Sequence, residues 1–388
     1  SRQKAARCAL LYASSAGASR RWQCSSSAYA WVRSNPQANT ILAMNRFSAL
    51  IKPASSLCDM RCRYCFYCAE AARREQKSYV FACLSPRAHV NFAFQGGEPT
   101  LAGLEFFRDF VAYAEAANSS NFRLAWSIQT NGLSIDEEWA AFFAQKHFLV
   151  GLSLDASGEF HDQNRLDATG RGTFSRVMRA RRALLRAGVP VNVLTVVTRQ
   201  MASHPRAVFQ ALQKNAIDYV QLIPCLSPLD GALAPHDLRP KDYASFMKDF
   251  FTQWCMSLRT GGQRMHVRYF DNLISLARGG ECEQCGAAGQ CTPQFVVEGD
   301  GSIFPCDFYA LDEFCLGNVH TQSEGMRRFA QDFAPRSEMC ASCEVFALCG
   351  GGCRRYRSFY FREKGYCPQR DFLLQAAGIL QRLSRYLH

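Results

Sequence analysis

The stretch that decides the fold is Cys58-Asp59-Met60-Arg61-Cys62-Arg63-Tyr64-Cys65, in which three cysteines follow the spacing C-x3-C-x2-C. Three thiolates on one short loop can each bind one iron of a 4Fe–4S cluster and leave the fourth iron open to a small molecule. A structural zinc site takes four protein ligands and is the weaker interpretation. Cysteines buried only as small apolar side chains are also disfavoured, because Asp59, Arg61 and Arg63 make this loop polar.

Around this loop, short apolar runs alternate with amphipathic segments. The runs predict strands at 47–51, 91–94, 125–129, 149–154, 191–197 and 219–223, and helical spacing predicts helices at 104–117, 137–146, 174–187 and 205–214. Alternating strands and helices are typical of a parallel sheet, and six such units predict an α/β fold of the partial (β/α)6 barrel type. Sites in such barrels lie at the carboxyl ends of the strands.

Polar and glycine-rich segments follow these predicted strands. The cysteine loop follows the first strand, Gly96-Gly97-Glu98 the second, Thr130-Asn131-Gly132 the third, Ser153 and Asp155 the fourth, and Cys225 and Leu226 the sixth. Because the carboxyl ends of parallel strands meet at one edge, we expect these segments to converge on one site.

The C-terminal third contains a second group of cysteines. They follow the pattern Cys285-x5-Cys291-x14-Cys306, Cys340-x2-Cys343-x5-Cys349-x3-Cys353 and Cys367. Eight thiolates suffice for two fully ligated 4Fe–4S clusters, but C-x2-C pairs also make zinc sites, so spacing alone leaves both open. The same region predicts a hairpin at 294–298 and 302–306, and helices are predicted at 240–260, from about residue 270, and at 369–387.

Composition excludes several classes of protein. The 388 residues are 48% hydrophobic and 20% charged, which argues against disorder, and no long uncharged apolar stretch predicts a membrane span. Residues 1–43 hold six of the 45 basic residues and no acid; without them the net charge falls from +12 to +6, which does not require a nucleic-acid partner. Nineteen cysteines, an odd number in a long chain, favour metal ligation in a reducing, cytoplasmic compartment over disulfides.

Residues 1–43 are rich in Ser, Ala and Arg and resemble an organellar transit peptide. We favour the simpler interpretation of an unstructured or mis-started extension, because Met44 opens the first segment with a folded pattern.

The loop Cys58-x3-Cys62-x2-Cys65-Phe66-Tyr67, placed after a first strand, resembles the radical S-adenosylmethionine (radical SAM) superfamily. In that superfamily the open iron binds the amino and carboxylate groups of SAM, and an electron from the cluster cleaves SAM to a 5′-deoxyadenosyl radical. The segments 94–100, 129–132, 151–155 and 160–165 resemble, in order, one branch of it, the anaerobic sulfatase-maturating enzymes.

This resemblance implies cofactor contacts for Tyr64, Gly96, Gly97, Glu98, Ser153, Arg165 and Leu226. The glycines and Glu98 would meet the amino group of SAM, since glycines allow close backbone approach and a carboxylate suits an ammonium. Ser153 and Arg165 would contact its carboxylate and ribose, and Leu226 would pack near the adenine. Gln95 and Tyr67 would face a peptide substrate. A surface salt bridge for Arg165 and simple packing for Leu226 and Tyr67 are the alternatives.

The C-terminal cysteines resemble the SPASM extension of peptide-modifying radical enzymes. The resemblance implies one auxiliary cluster on Cys285, Cys291, Cys306 and Cys353, and another on Cys340, Cys343, Cys349 and Cys367. Cys282 is close to Cys285, but the x5 spacing favours Cys285. In this branch the aspartate directly after the cysteine at the position of Cys306 is the proposed general base, and here it is Asp307. The alternative is that Asp307 caps a turn.

The resemblance therefore implies three domains: an extension at 1–43, a radical SAM partial barrel at 44–268, and a SPASM domain with a C-terminal helix at 269–388. It implies SAM and three 4Fe–4S clusters, and the conversion of a Cys or Ser in an unfolded sulfatase segment, Cys/Ser-x-Pro/Ala-x-Arg, to Cα-formylglycine. A flavodoxin or ferredoxin-type donor would supply electrons. The alternative enzymatic activity is thioether crosslinking of a precursor peptide. The non-enzymatic alternative is that the chain is a zinc-binding interaction protein.

Overall fold

The computed structural model describes residues 46–55, 57–65, 89–119, 121–228, 234–259, 264–289, 291, 294–319 and 337–386. The sequence predictions for residues 1–43 and for Tyr67 lie outside these ranges.

One open sheet organises the chain. Its strands are β1 (Arg46–Ile51), β2 (His89–Phe94), β3 (Arg123–Thr130), β4 (Leu149–Ser153), β5 (Val191–Val197), β6 (Tyr219–Pro224), β7 (His266–Val267), β8 (Phe295–Val297) and β9 (Ile303–Phe304). Their order is β7-β6-β5-β4-β3-β2-β1-β8-β9. Every neighbouring pair is parallel except β8 and β9. The predicted α/β partial barrel is confirmed.

Helices lie between successive strands from β2 to β8 and follow the hairpin. They are α1 (Leu104–Ala117), α2 (Glu137–Gln145), α3 (Gly158–Asp162), α4 (Phe174–Arg186), α5 (Arg199–Ala202), α6 (Pro205–Lys214), α7 (Pro240–Arg259), α8 (Arg268–Ala277), α9 (Phe346–Cys349), α10 (Arg354–Tyr360) and α11 (Pro368–Leu383). Short 3-10 turns lie at Pro99–Ala102, Asp307–Tyr309, Asp312–Phe314 and Glu338–Cys340.

The helix α1 illustrates how the sequence sets these elements. Its buried residues Phe107, Phe110, Val111 and Ala114 recur at helical spacing and form one apolar face. The helix α2 begins where Asp136 Oδ1 accepts hydrogen bonds from the backbone N–H groups of Glu138 and Trp139, each at 3.0 Å.

Several observed elements differ in length from the predicted ones. The first three strands begin one or two residues earlier than their apolar runs, at Arg46, His89 and Arg123, because backbone pairing extends beyond the apolar residues. The helix predicted at 369–387 begins at Pro368 and ends at Leu383.

The C-terminal helix packs on the barrel through aromatic side chains. Phe372 of α11 lies 5.8 Å from the ring of Phe251 in α7 and 6.0 Å from that of Phe270 in α8. All three side chains are fully buried. This contact fixes the C-terminal region against the helices that follow β6.

The hairpin β8–β9 extends the barrel sheet at β1. Ala49, Leu50 and Ile51 pair in parallel with Phe295, Val296 and Val297, and the Lys52 N–H continues the ladder to the Val297 carbonyl at 3.0 Å. The loop after β9, which contains Cys306 and Asp307, is thereby brought to the carboxyl end of β1. Within the described ranges, no helix is long and apolar enough to cross a membrane.

Candidate active site

A buried lysine joins β1 to the hairpin at the carboxyl edge of the sheet. Lys52 follows β1 directly and is 1% exposed. Its Nζ lies 2.8 Å from Glu298 Oε1 and 3.1 Å from Asp307 Oδ1. Burial alone would lower the pKa of the Lys52 ammonium, but the charges of Asp307 and Glu298 outweigh burial and raise that pKa, so Lys52 stays protonated.

Gln95 and Asp307, assigned separately to substrate and to catalysis, are in direct contact. Gln95 Nε2 donates to Asp307 Oδ2 at 2.8 Å, although 212 residues separate them. Asp307 therefore has one oxygen held by Lys52 and the other by Gln95. Its side chain is 12% exposed, so another molecule can reach it, whereas Lys52 is 1% exposed.

Gly96 lies against the lysine stem. Its φ angle is +93°, in the region that favours glycine. A Cβ at this position would lie 2.6 Å from Lys52 Cγ and 2.8 Å from Lys52 Cδ. Gly96 therefore leaves the space that the aliphatic part of Lys52 occupies.

Glu98 binds backbone and hydroxyl groups of its own chain. Oε1 accepts hydrogen bonds from the Thr100 N–H at 3.0 Å and from the Thr100 and Thr130 hydroxyls at 2.7 Å each, and Oε2 accepts from the Asn131 N–H at 2.6 Å. Burial raises the pKa of the Glu98 carboxyl, and these four bonds oppose the rise. The contacts fix the ends of β2 and β3 relative to each other.

A second buried ion pair lies beyond β4. Arg165 donates to Asp155 through Nε at 2.9 Å and through Nη2 at 3.1 Å. Tyr64 donates to the same carboxylate at 2.5 Å, and the Arg165 guanidinium lies 5.3 Å above the Tyr64 ring. Tyr64 and Arg165, both predicted to contact SAM, thus share Asp155 as their anchor.

His161 helps to hold Asp155 in place through hydrogen bonds. Its Nδ1 accepts a hydrogen bond from the Asp155 N–H at 3.2 Å, and Nε2 lies 2.9 Å from the Thr173 hydroxyl, which itself donates to the Arg165 carbonyl. Burial, together with the charge of Arg165, lowers the pKa of His161 to about 4. The neutral imidazole is therefore a structural acceptor near pH 7.

The three-cysteine loop runs along the strand ends beside this pair. Met60 and Asp167 form an isolated antiparallel β-bridge. Next to it, the N–H groups of Arg61 and Arg63 donate to the carbonyls of Leu166 and Asn164, respectively. Asn131 Nδ2 donates to Asp59 Oδ1 at 2.6 Å and lies 3.6 Å from Cys58 Sγ. Three segments predicted to converge, at Cys58, Glu98 and Asn131, are therefore adjacent.

The thiols of this loop suit a cationic cluster. Burial, with a contribution from the neighbouring carboxylates of Glu98 and Asp59, raises the pKa of the Cys58 thiol to about 12. A thiolate here needs a nearby cation, and the iron of a bound cluster would supply one. The charge of Cys62 acts on Cys58, Tyr64 and Arg165, which places the loop against the Asp155 group.

The first C-terminal thiol group consists of Cys285, Cys291, Cys306 and Cys353. Burial raises the pKa of Cys353 to about 11, and the charges of Cys285 and Cys291 add to the rise. Burial also raises the pKa of the Cys306 thiol, and the charges of Cys353 and Cys285 contribute to that rise. A Cβ on Gly286 would lie 2.8 Å from Cys353 Cβ, which shows how closely these two loops meet. Cys282 instead donates to Asn272 Oδ1 at 3.1 Å.

The second group consists of Cys340, Cys343, Cys349 and Cys367, and all four line one cavity with Met339, Phe346 and Tyr360. Burial raises the pKa of Cys349 to about 11, with contributions from the other three thiols. The buried Arg357 donates to the carbonyls of Gly289, Gly351 and Gly352 and ties together the glycine turns around both groups.

The remaining predicted residues have less specific surroundings. Gly97 and Ser153 are half-buried at the ends of β2 and β4. Leu226, two residues after β6, packs at the border of the main hydrophobic core.

Sequence reasoning assigned no role to three charged residues at the site. Lys52 follows the first strand, Asp155 was noted only as the end of the fourth, and Glu298 closes the first strand of the hairpin. Each of them is a charged residue placed directly after an apolar run that predicts a buried strand. A charge buried at such a position is costly unless it is paired, and this was the available signal.

Comparison with known proteins gives consistent matches. Residues 53–210 match the Radical SAM superfamily. The chain is 41% identical over 335 residues to a cysteine-type anaerobic sulfatase-maturating enzyme of Clostridium perfringens (strain ATCC 13124), covering 81% of this chain and 90% of the relative. It is 30% identical over 330 residues to the serine-type enzyme of Klebsiella aerogenes, covering 79% of each.

Solved structures agree. A native anSMEcpe with bound AdoMet and Kp18Cys peptide is 38% identical with a TM-score of 0.79, and the match covers 88% of this chain and 100% of that one. Streptococcus suis SuiB bound to the precursor peptide SuiA, at 16% identity and a TM-score of 0.55, shares the fold; the match covers 88% of this chain and 78% of that one.

Substituting Gly96 by alanine should displace Lys52. Gly103 also has a positive φ, +83°, but nothing lies within 4 Å of its missing Cβ, so Gly103→Ala is the matched control. We expect backbone strain of about 1–3 kcal/mol at either position and an added loss of about 1–3 kcal/mol for Gly96→Ala through overpacking. Equal losses in anaerobic denaturation would show that the contact with Lys52 is unimportant.

The neutral state of His161 predicts a pH dependence of stability. The unfolded chain binds a proton at this residue near pH 6.5, whereas the folded chain does so only near pH 4. Stability from this residue is complete above pH 6.5 and falls between these values, by up to about 1.4 kcal/mol per pH unit. Denaturation at pH 5 to 7 should show a flatter profile for His161→Asn. His147→Asn, at an exposed position, should keep the wild-type slope; a wild-type slope in His161→Asn would refute the assignment.

Proposed function

The chain belongs to the anaerobic sulfatase-maturating enzymes of the radical SAM superfamily, and we propose that it converts a cysteine of a sulfatase polypeptide to Cα-formylglycine. The observation that carries the proposal is the 2.8 Å contact between Gln95 and Asp307. It joins a residue after β2 to one after β9 at the mouth of the barrel, where a peptide can enter.

Asp307 is the proposed general base. When bound, SAM and the clusters supply a radical that removes a hydrogen atom from the target Cβ and an acceptor for the remaining electron. Asp307 accepts the thiol proton of the target, and Gln95 orients the carboxylate. Loss of one hydrogen atom, one proton and one electron leaves a thioaldehyde, which water hydrolyses to the aldehyde with release of sulfide.

The cofactor contacts follow from the strand ends. Gly97 and Ser153 offer a close backbone approach and a hydroxyl, and Leu226 offers an apolar wall. Because Tyr64 and Arg165 are both bound to Asp155, their contact with SAM depends on that anchor. The four bonds of Glu98 hold the turn at Asn131. Its proposed role toward the amino group of SAM is the one that the resemblance implies.

Three 4Fe–4S clusters are proposed, one on the N-terminal loop and two on the C-terminal thiol groups. The proximity of the thiols within each group supports these ligand sets. We assign residues 44–268 to the barrel and 269–388 to the auxiliary region, whose hairpin shares the sheet of the barrel. A flavodoxin or ferredoxin-type protein is the proposed electron donor.

Cysteine is the proposed target because the chain is 38–41% identical to cysteine-type relatives and 30% identical to the serine-type relative of Klebsiella aerogenes. The substrate would be an unfolded segment of the form Cys-x-Pro/Ala-x-Arg.

Iron analysis tests the cluster assignment. Anaerobically reconstituted protein should hold about twelve iron atoms per chain, and Cys340→Ala/Cys343→Ala about eight. Cys282→Ala, which lies beside the first group but bonds to Asn272, should retain about twelve. Zinc in place of iron, or an unchanged iron content in the double variant, would refute the assignment.

Peptide conversion tests the function. Wild-type protein with SAM and a reductant should form an aldehyde faster on a Cys-x-Pro-x-Arg peptide than on its Ser counterpart, as detected by mass spectrometry after aldehyde trapping. Asp307→Asn should lower the aldehyde yield at least about a hundredfold, while the exposed Asp312→Asn should match the wild type. Formation of 5′-deoxyadenosine without an aldehyde on either peptide would exclude this substrate class.

A further inference from the structure

We propose that Lys52 is a positioning residue for Asp307, which it holds in the orientation needed to meet the target thiol. The inference rests on the proposed function of Asp307. It concerns a residue that binds neither SAM nor a cluster in the assignment above.

The position of Lys52 is determined at both ends. Its backbone N–H bonds to Val297 in the β1–β8 ladder, and its stem fills the space left by Gly96. Its Nζ is then held by Glu298 Oε1 at 2.8 Å, and Glu298 Oε2 accepts from the Ser55 hydroxyl at 2.9 Å. The ammonium therefore presents a fixed donor to Asp307 Oδ1 at 3.1 Å.

This donor and Gln95 together hold both oxygens of Asp307. Two donors on opposite oxygens set the plane of the carboxylate, so the remaining lone pairs point in defined directions. Preorganised geometry of this kind matters for the reacting group, because a displacement of about 1 Å can lower a rate about a hundredfold.

Charge explains why a lysine is needed here. Glu298 and Asp307 both approach the same Nζ within 3.1 Å, and Glu298 is 2% exposed. Without the ammonium, two carboxylates would face each other across a space closed to water, and the more exposed Asp307 would turn away. Lys52 thus keeps Asp307 beside Glu298 while leaving it accessible.

A purely structural lysine would behave differently. If Lys52 only stabilised the junction of β1 and β8, its removal would weaken the fold, peptide binding and SAM cleavage in parallel. If Lys52 positions Asp307, its removal should reduce the conversion of bound peptide more than it reduces stability, peptide binding or SAM cleavage.

The test uses Lys52→Met, which keeps the aliphatic stem but lacks the charge, in the reconstituted enzyme. Lys52→Met/Glu298→Gln removes the uncompensated carboxylate and serves as the variant with restored folding. The control is Lys248→Met, which breaks a pair between α7 and α11, with Asp371 at 3.1 Å, that does not involve Asp307. For each we measure kcat and KM for the Cys peptide, 5′-deoxyadenosine formed per aldehyde, iron content and anaerobic melting temperature.

We expect both Lys52 variants to lose kcat about a hundredfold, to change KM less than about threefold, and to form more 5′-deoxyadenosine per aldehyde, with wild-type iron content. Lys248→Met should retain wild-type kcat. A double variant with kcat near the wild type, or one that loses kcat, peptide binding and SAM cleavage equally, would overturn the role of Lys52. Wild-type conversion by Asp307→Asn would instead overturn the role of Asp307 as general base, and absence of aldehyde from the wild-type enzyme would overturn the proposed function.

Discussion

The parallel pairing of β8 with β1 is the constraint on which the site depends. It aligns Val297 with Ile51 and places Glu298 beside Lys52, although 246 residues separate them. Because side chains alternate across a sheet, a shift of one residue in β8 would turn Glu298 to the other face. The loop that carries Cys306 and Asp307 follows within ten residues, so its position is set by the same ladder.

The site contains buried charged side chains, and each of them has hydrogen-bond or ion-pair partners within the same chain. Asp155 is bound by Arg165 and Tyr64, Glu98 by hydroxyl and backbone donors, and Lys52 by two carboxylates. Burial makes each of these groups costly when unpaired, so every partner restricts the others. A rigid rim of strand ends results, and rigidity there favours a reaction that must hold cofactor and peptide in a fixed relation.

Local patterns predicted much of this molecule. The bounds of α1 and α6 coincide with the sequence periodicity, since an apolar face at helical spacing is a local property. The hairpin was predicted from its turn, but its pairing with β1 was not, because no local signal encodes which strand a hairpin joins. Lys52 and Glu298 were missed for the same reason: each is an ordinary charged residue until the fold buries the pair.

The two C-terminal thiol groups are interleaved along the chain, and this has a consequence for biosynthesis. The ribosome makes Cys285, Cys291 and Cys306 before any member of the other group, yet their fourth partner, Cys353, appears only after Cys340, Cys343 and Cys349. A growing chain that ends between Cys349 and Cys353 therefore carries three separate triplets of cysteine from these groups. In the proposed assignment, Cys353 and Cys367 complete the two C-terminal sets, and only the set at Cys58, Cys62 and Cys65 stays open to a small molecule.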